Sequence, residues 1–221
     1  MEKPIYPSKY MRITQGYDEI GHKETYAIDE AGLDQEISTM YAPFTGIIKK
    51  IYKEDANEVW LESLEEVEYP DGTIDYMTIM FAHSNDVSNL FVGKIIRQNE
   101  AFYTEGTKGK ATGNHCHIEC GKGKFTGTGW YKNNSGSYSI NNGKRPEECL
   151  WIDDTITIIN NANYNFKKIS PKEDDTTLEQ KPEDTTEELQ ENNEEKPIFI
   201  CRKNGLYGIY LNENEKVYIK T

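Results

Sequence analysis

Long apolar runs are missing from this 221-residue chain, and no stretch approaches the roughly 18–20 residues that a membrane span needs. The opening MEKPIYPSKYMRI also lacks the basic-then-apolar layout of a secretory leader, so no export signal is expected. Positive charge is short as well. Against 38 Asp and Glu stand 25 Lys and Arg, a net charge of −13, which excludes general affinity for nucleic acid or an anionic membrane. Cysteine is too sparse for a disulfide scaffold: Cys116, Cys120, Cys149 and Cys201 form no Cys-x-x-Cys pair. They read as reduced thiols, with no zinc held by cysteine. Gly106, Gly109 and Gly113 do not make a phosphate loop, because no Lys-Ser/Thr follows and no helix opens there.

What is present divides the chain in three. Residues 167–197 carry five Lys against eleven Asp and Glu, a net −6, and no aromatic residue. Such a segment cannot bury enough surface to offset the entropy of ordering, so an acidic, disordered linker is expected, with a short helix near Thr185–Asn192 at most. Beyond it, residues 198–221 alternate Ile, Phe, Tyr and Val around Asn-rich turns, which predicts two or three short strands. So small a β piece is not stable alone, which implies docking on a partner, homo-oligomerisation or pairing with a repeat elsewhere. It carries Arg202, Lys203, Lys216 and Lys220 against Glu213 and Glu215, a net +2 in an otherwise acidic chain.

Residues 1–166 read as mainly β. IIKKIY, VWLESL, MTIMFAH and HCHIEC are short runs separated by turn chemistry, with Tyr69–Thr73 the clearest hairpin signal. Ser84–Arg97 is the best candidate for a helix, and Glu148–Ile159 reads as a closing core strand.

Histidine is scarce, at four residues: His22, His83, His115 and His117. As a strand, HCHIEC puts His115, His117 and Glu119 on one face, and Cys116, Ile118 and Cys120 on the other, as core filler. Two imidazoles about 6–7 Å apart along a strand can meet one metal and one substrate atom. On spacing alone, a surface strand pair without metal reads equally well.

Four stretches, in order, resemble the lysostaphin-type (LytM-like) zinc endopeptidases of bacterial cell walls. They are GHKETYAID, MYAPFTGIIKKIY, MFAHSND and EGTKGKATGNHCHIEC, spanning Ile13 to Ile152. The last is the most specific, with Gly106, Gly109, Gly113, His115, His117 and Glu119 in the register of the family's signature. The resemblance implies an antiparallel β-sheet core with loops walling a substrate groove. It implies His22, Asp29 and His117 as zinc ligands, and His83 and His115 as the catalytic pair that handles protons and stabilises the oxyanion. Glu119 could orient a ligand imidazole or form a structural salt bridge. Six residues separate His22 from Asp29 where the family commonly places three, so Asp18 and Asp34 stand as alternative carboxylates.

The function implied is hydrolysis of peptide bonds in peptidoglycan cross-links, with a peptidoglycan peptide as substrate and Zn2+ as cofactor. Without an export signal, the expected setting is a bacteriophage lysin waiting in the host cytoplasm for release to the wall, with a virion-associated protein as the alternative. The rival class is a non-catalytic module that keeps the fold and binds only. The loop Gly121–Lys144, with Phe125, Trp130, Tyr131 and Tyr138 among Gly, Asn and Ser, is a candidate groove wall.

Overall fold

The computed structural model describes residues 1–17, 19–33, 36–169, 199–203, 206–212 and 215–219, the last three ranges as backbone strands. Two compact units are present, Met1–Glu173 and Asp174–Thr221. From residue 170 onward the expected linker, with its short helix at Thr185–Asn192, lies outside the described residues, as do Asp18 and Asp34.

The first unit is built almost entirely of strands. In chain order these are β1 (Tyr10–Gln15), β2 (Ile28–Glu30), β3 (Thr39–Tyr41), β4 (Gly46–Tyr52), β5 (Glu58–Ser63), β6 (Val67–Glu68) and β7 (Ile74–Asp75). Then follow β8 (Met77–Ala82), β9 (Ile95–Ile96), β10 (Ala101–Thr104), β11 (Cys116–Lys122), β12 (Trp130–Lys132), β13 (Tyr138–Ile140) and β14 (Gly143–Lys144). A single helical turn, α1 (Pro146–Cys149), precedes β15 (Trp151–Ile152), β16 (Thr157–Asn160) and β17 (Lys167–Lys168). Nine strands form the main sheet in the order β16-β1-β2-β11-β8-β5-β4-β9, with β14 also pairing β11. Its neighbours are antiparallel except β16, which runs parallel to β1.

Period-2 alternation gives this sheet two different faces. Cys116, Ile118 and Cys120 of β11, Ile79 and Phe81 of β8, and Val59 and Leu61 of β5 fill the larger core. Their neighbours point the other way: Trp60, Met80 and Ala82 form a smaller cluster with Ala56 and Ile140, backed by Tyr52, Phe125 and Trp130. His117 and Glu119 share that second face. Each fully buried Ile, Leu or Phe contributes about 1.5–3 kcal/mol of burial energy. The larger core therefore fixes the register in which the second face is displayed.

The hairpin expected at Tyr69–Thr73 forms, flanked by paired β6 and β7. Two expectations are corrected. Ser84–Arg97 is not a helix: Asp86 Oδ1 accepts the Ser88 N–H at 2.8 Å, Gly93 takes φ 92°, and only Ile95–Ile96 is regular, as strand β9. Val87 and Leu90, three apart, are buried by a loop that turns rather than by a helical face. Nor is Glu148–Ile159 one core strand. It divides into the end of α1, β15 and the edge strand β16, whose residues are all exposed. The second unit is a three-stranded antiparallel meander of β18 (Phe199–Lys203), β19 (Leu206–Asn212) and β20 (Glu215–Ile219). Among the described residues, no helix is long and apolar enough to cross a membrane.

Among the described buried carboxyls of the first unit, Glu30 and Glu105 are the two with no exposed surface. Glu30 accepts the Tyr6 hydroxyl and the backbone N–H groups of Arg12 and Gly32, yet burial lifts its pKa to about 7. Glu105 is fully buried, with one oxygen on the Ser38 N–H at 3.3 Å and the other, Oε1, partnerless among the described residues. Burial, and then the neighbouring Glu30, raise its pKa to about 7. A carboxyl raised in the folded state stabilises the fold below its unfolded pKa, and this is lost as pH climbs from about 4.5 through 7. Glu105→Gln is therefore expected to be more stable than the wild type at pH 8, by on the order of 2 kcal/mol, with the difference vanishing at about pH 4. Urea melts of both proteins at the two pH values check this.

Candidate metal centre

The register of three strands brings distant residues together. His117 on β11 lies directly opposite Asp29 on β2 and Ala82 on β8. Side chains at such paired positions project from the same face, so the imidazole meets the carboxylate, and His83 follows at the end of β8. His115 stands just before β11, bridged to Gly106. His22 enters from the loop that links β1 to β2 and is buried, 5% exposed.

Asp29 Oδ1 is the hub. It lies 3.2 Å from His22 Nε2, 3.1 Å from His117 Nδ1 and 3.7 Å from His115 Nε2. One ligand atom from each of His22, Asp29 and His117 falls within 4.8 Å of the other two, a spacing at which they could hold a metal ion. All five residues expected at the site, His22, Asp29, His83, His115 and His117, are therefore neighbours.

The remaining ring nitrogens settle which atoms point inward. His22 Nδ1 lies 2.9 Å from the Gly16 carbonyl, which can only accept, so that nitrogen carries the proton and Nε2 faces Asp29. His117 Nε2 lies 3.2 Å from Glu119 Oε1, while its Nδ1 faces Asp29. A neutral imidazole cannot donate to two carboxylates, so His117 calls for an extra positive charge, either a proton or a cation at Nδ1. Burial alone would lower its pKa, but the hydrogen bonds with Asp29 and Glu119 dominate and push it up to about 10. Burial likewise opposes the Asp29 charge, yet hydrogen bonds from His117 and His22 hold its carboxyl far below the usual range. A buried carboxylate ringed by imidazole nitrogens suits a borderline divalent ion such as zinc. Glu119, whose second oxygen accepts the Ile140 N–H at 2.7 Å, fixes the orientation of the His117 imidazole through its first.

His83 and His115 stand beside this group as a pair. Their ring centroids are 4.6 Å apart, and His83 is 5.9 Å from His117. His83 Nδ1 donates to the Lys108 carbonyl at 2.8 Å and His115 Nδ1 to the Gly113 carbonyl at 2.9 Å, leaving Nε2 of each with a lone pair. Burial, helped by its histidine neighbours, lowers the His83 pKa to about 4, so this ring is neutral at ordinary pH. Its backbone is unusual: φ is 83°, in the left-handed region that costs a non-glycine residue on the order of 1 kcal/mol or more. Two backbone hydrogen bonds, His83 N–H to Ala56 O at 2.7 Å and Lys108 N–H to His83 O at 3.0 Å, hold it there.

Two clefts adjoin the group, one through Glu119 and one through Asp29 and His115. One of about 550 Å³ is lined by Glu24, Tyr26, Glu119, Tyr131, Asn133 and Ile140. The other, about 440 Å³, is lined by Arg12, Gln15, Asp29, Glu36, Asn114 and His115. The β12–β13 hairpin, within the loop expected to wall a groove, lines the first, with Tyr131 and Tyr138 about half exposed. Glu58 escaped sequence reading: half-buried at the start of β5, its pKa is raised to about 7 by burial and by Asp55, and it senses His117 and Glu119. A lone glutamate in a strand carries no signal that could have found it.

No protein-family model matches the chain. Over 130 residues it is 32% identical to Morphogenesis protein 1 of Bacillus phage B103, a match covering 58% of this chain and 34% of that protein. The chain thus spans about a third of the length of its phage relative. Among solved structures, a zinc-containing peptidase from Vibrio cholerae is similar at 15% identity and a TM-score of 0.39, over 53% of this chain and 37% of the other. The catalytic domain of the antimicrobial peptidase lysostaphin from Staphylococcus simulans is similar at 17% identity and a TM-score of 0.36, over 55% of this chain and 80% of the other.

Proposed function

We propose that this chain is a zinc-dependent endopeptidase that hydrolyses peptide cross-links of bacterial peptidoglycan in the service of a bacteriophage. The observation that carries the reading is the convergence of His22, His115 and His117 on Asp29, with His83 beside His115 and His117, inward nitrogens on His22 and His117, and the Nδ1 atoms of His83 and His115 tied to backbone carbonyls. His22 Nε2, Asp29 and His117 Nδ1 would hold the metal. A zinc ion there supplies Lewis-acid polarisation of the scissile carbonyl and lowers the pKa of water toward 7. His115 Nε2, nearest to Asp29 of the pair, can take a proton from the attacking water, and either histidine can donate to the developing oxyanion once protonated. The clefts lined by Glu119 and by Asp29 and His115 give an extended peptide room beside the histidines.

The similarity to a phage protein named for morphogenesis supports a second reading of the setting: an enzyme carried in the virion that opens the wall during entry, rather than a lysin released at the end of infection. Mass spectrometry of purified particles separates the two, since a virion enzyme travels with them. Residues 1–166 would form the catalytic part, 167–197 the linker, and 198–221 a wall-binding or self-associating piece.

The purified protein is expected to hold about one zinc per chain and to release new peptide termini from Gram-positive walls. Chelator should stop the release and added Zn2+ restore it. Metal analysis with mass spectrometry of digested muropeptides checks this, and a wild-type protein with neither bound zinc nor wall cleavage would sink the proposal.

A further inference from the structure

The loop between His22 and Asp29 is longer than a simple strand connection, and its middle is held from outside. Glu24 sits at φ 58°, a left-handed conformation that needs external support in a non-glycine residue. Inside the loop the Thr25 N–H and hydroxyl both reach the His22 carbonyl, at 3.0 and 3.1 Å. The carbonyls of Lys23 and Glu24 instead accept from Asn133, whose Nδ2 lies 3.3 Å from each. The Ser135 hydroxyl is 3.2 Å from the Lys23 carbonyl, and the Ser135 N–H donates to the Glu24 carboxylate at 3.0 Å.

Asn133 and Ser135 occupy the turn between β12 and β13, and that turn is itself ordered. Asn133 Oδ1 accepts from the Ser135 hydroxyl at 2.7 Å and from the Ser137 N–H at 3.0 Å. The same hairpin acts again at its far end, where the Ile140 N–H donates to Glu119, whose other oxygen meets His117. One hairpin therefore reaches His22 through two backbone carbonyls and His117 through a carboxylate.

We propose that the β12–β13 hairpin is a brace that sets the geometry of the His22–Asp29–His117 centre, with Asn133 and Ser135 as positioning residues that touch neither metal nor substrate. The proposal rests on reading that centre as a metal site. It accounts for how a six-residue spacing between His22 and Asp29 still delivers both side chains to one point. Without the brace, the Lys23–Glu24 segment has two carbonyls without a protein partner and a strained residue, and His22 is held only by its contacts to Gly16, Glu19 and Thr25.

The test uses the full chain as wild type, Asn133→Ala, Ser135→Ala and Ser135→Thr. Zn2+ affinity is measured by competition with a chromophoric chelator, and ligand geometry by the visible absorption of the Co2+-loaded protein. Asn133→Ala is expected to weaken Zn2+ binding by up to roughly tenfold, the low end of the range for losing a hydrogen bond made directly to a ligand, because Asn133 acts through the Lys23 and Glu24 carbonyls. Its Co2+ spectrum should change while the melting temperature of the metal-free protein stays near wild type. Ser135→Ala should do the same more weakly, and Ser135→Thr, which keeps the hydroxyl, should restore wild-type values. Wild-type affinity and an unaltered Co2+ spectrum in Asn133→Ala overturn the brace alone. Loss of affinity that only tracks unfolding of the metal-free variants overturns it in favour of a structural role. A wild-type protein that binds no Zn2+ overturns the metal reading and the brace together.

Discussion

His117→Ala and His115→Ala, two residues apart on the same chain segment, are expected to fail in different ways. The first should lose zinc, its affinity falling by more than about a hundredfold, since even an outer partner of a ligand is worth ten to a hundredfold. The second should keep zinc and lose roughly 10²–10⁴ in turnover, the range for removing a group that handles a proton. The contrast follows from where the nitrogens point. His117 Nδ1 faces Asp29 at 3.1 Å and shares the carboxylate with His22, whereas His115 Nε2 stands off at 3.7 Å with its other nitrogen tied to Gly113. Zinc content of the purified variants and release of soluble wall fragments measure the two effects separately. If His115→Ala strips the metal as completely as His117→Ala, the division into ligands and proton-handling pair is wrong. His83→Ala extends the test: full wall cleavage by that variant removes His83 from the catalytic pair.

The two faces of β11 can be read from sequence because strand chemistry is periodic, whereas His22, Asp29 and His83 are pointed to only by the family resemblance. Alternation in HCHIEC separates His117 and Glu119 from Cys116, Ile118 and Cys120, and the fold puts those cysteines in the larger core. The register that sets His117 opposite Asp29 is a different matter. It depends on pairing across 88 residues, which no local pattern encodes. The elements misread were those where local signals conflict. Val87 and Leu90 mimic a helical stripe, but the Asp86–Ser88 turn and Gly93 compete with the helix and win. The Ile-rich β16 looks like core yet lies exposed at the sheet edge, paired on one side only. The brace was invisible for another reason. Asn133 and Ser135 lie in a Gly-, Asn- and Ser-rich loop without period, and their partners are backbone carbonyls, which sequence does not distinguish.

Gly106→Ala is expected to leave the metal in place and still cost the protein most of its activity. Gly106 exchanges backbone hydrogen bonds with His115, at 3.1 and 3.2 Å, and its Cα packs against the turn that carries His83. A Cβ at this position would stand 2.3 Å from the His83 carbonyl oxygen and 2.7 Å from the Asn85 nitrogen. Both are backbone atoms, so no side chain can swing aside and the segments must part. The His83 turn has little freedom to yield, because its φ of 83° is already strained and fixed by hydrogen bonds to Ala56 and Lys108. Overpacking of this kind costs about 1–3 kcal/mol, which for a unit of this size lowers the melting temperature by several degrees. The larger effect is on geometry: a shift of about 1 Å between His83 and His115 can cost on the order of a hundredfold in rate. Gly113→Ala is the matched control. It belongs to the same glycine series, but a Cβ there would meet nothing within 4 Å and its backbone is not left-handed. Near-normal cleavage and stability are expected of it. If Gly106→Ala cleaves walls as well as Gly113→Ala does, close packing at Gly106 does not set the spacing of the two histidines.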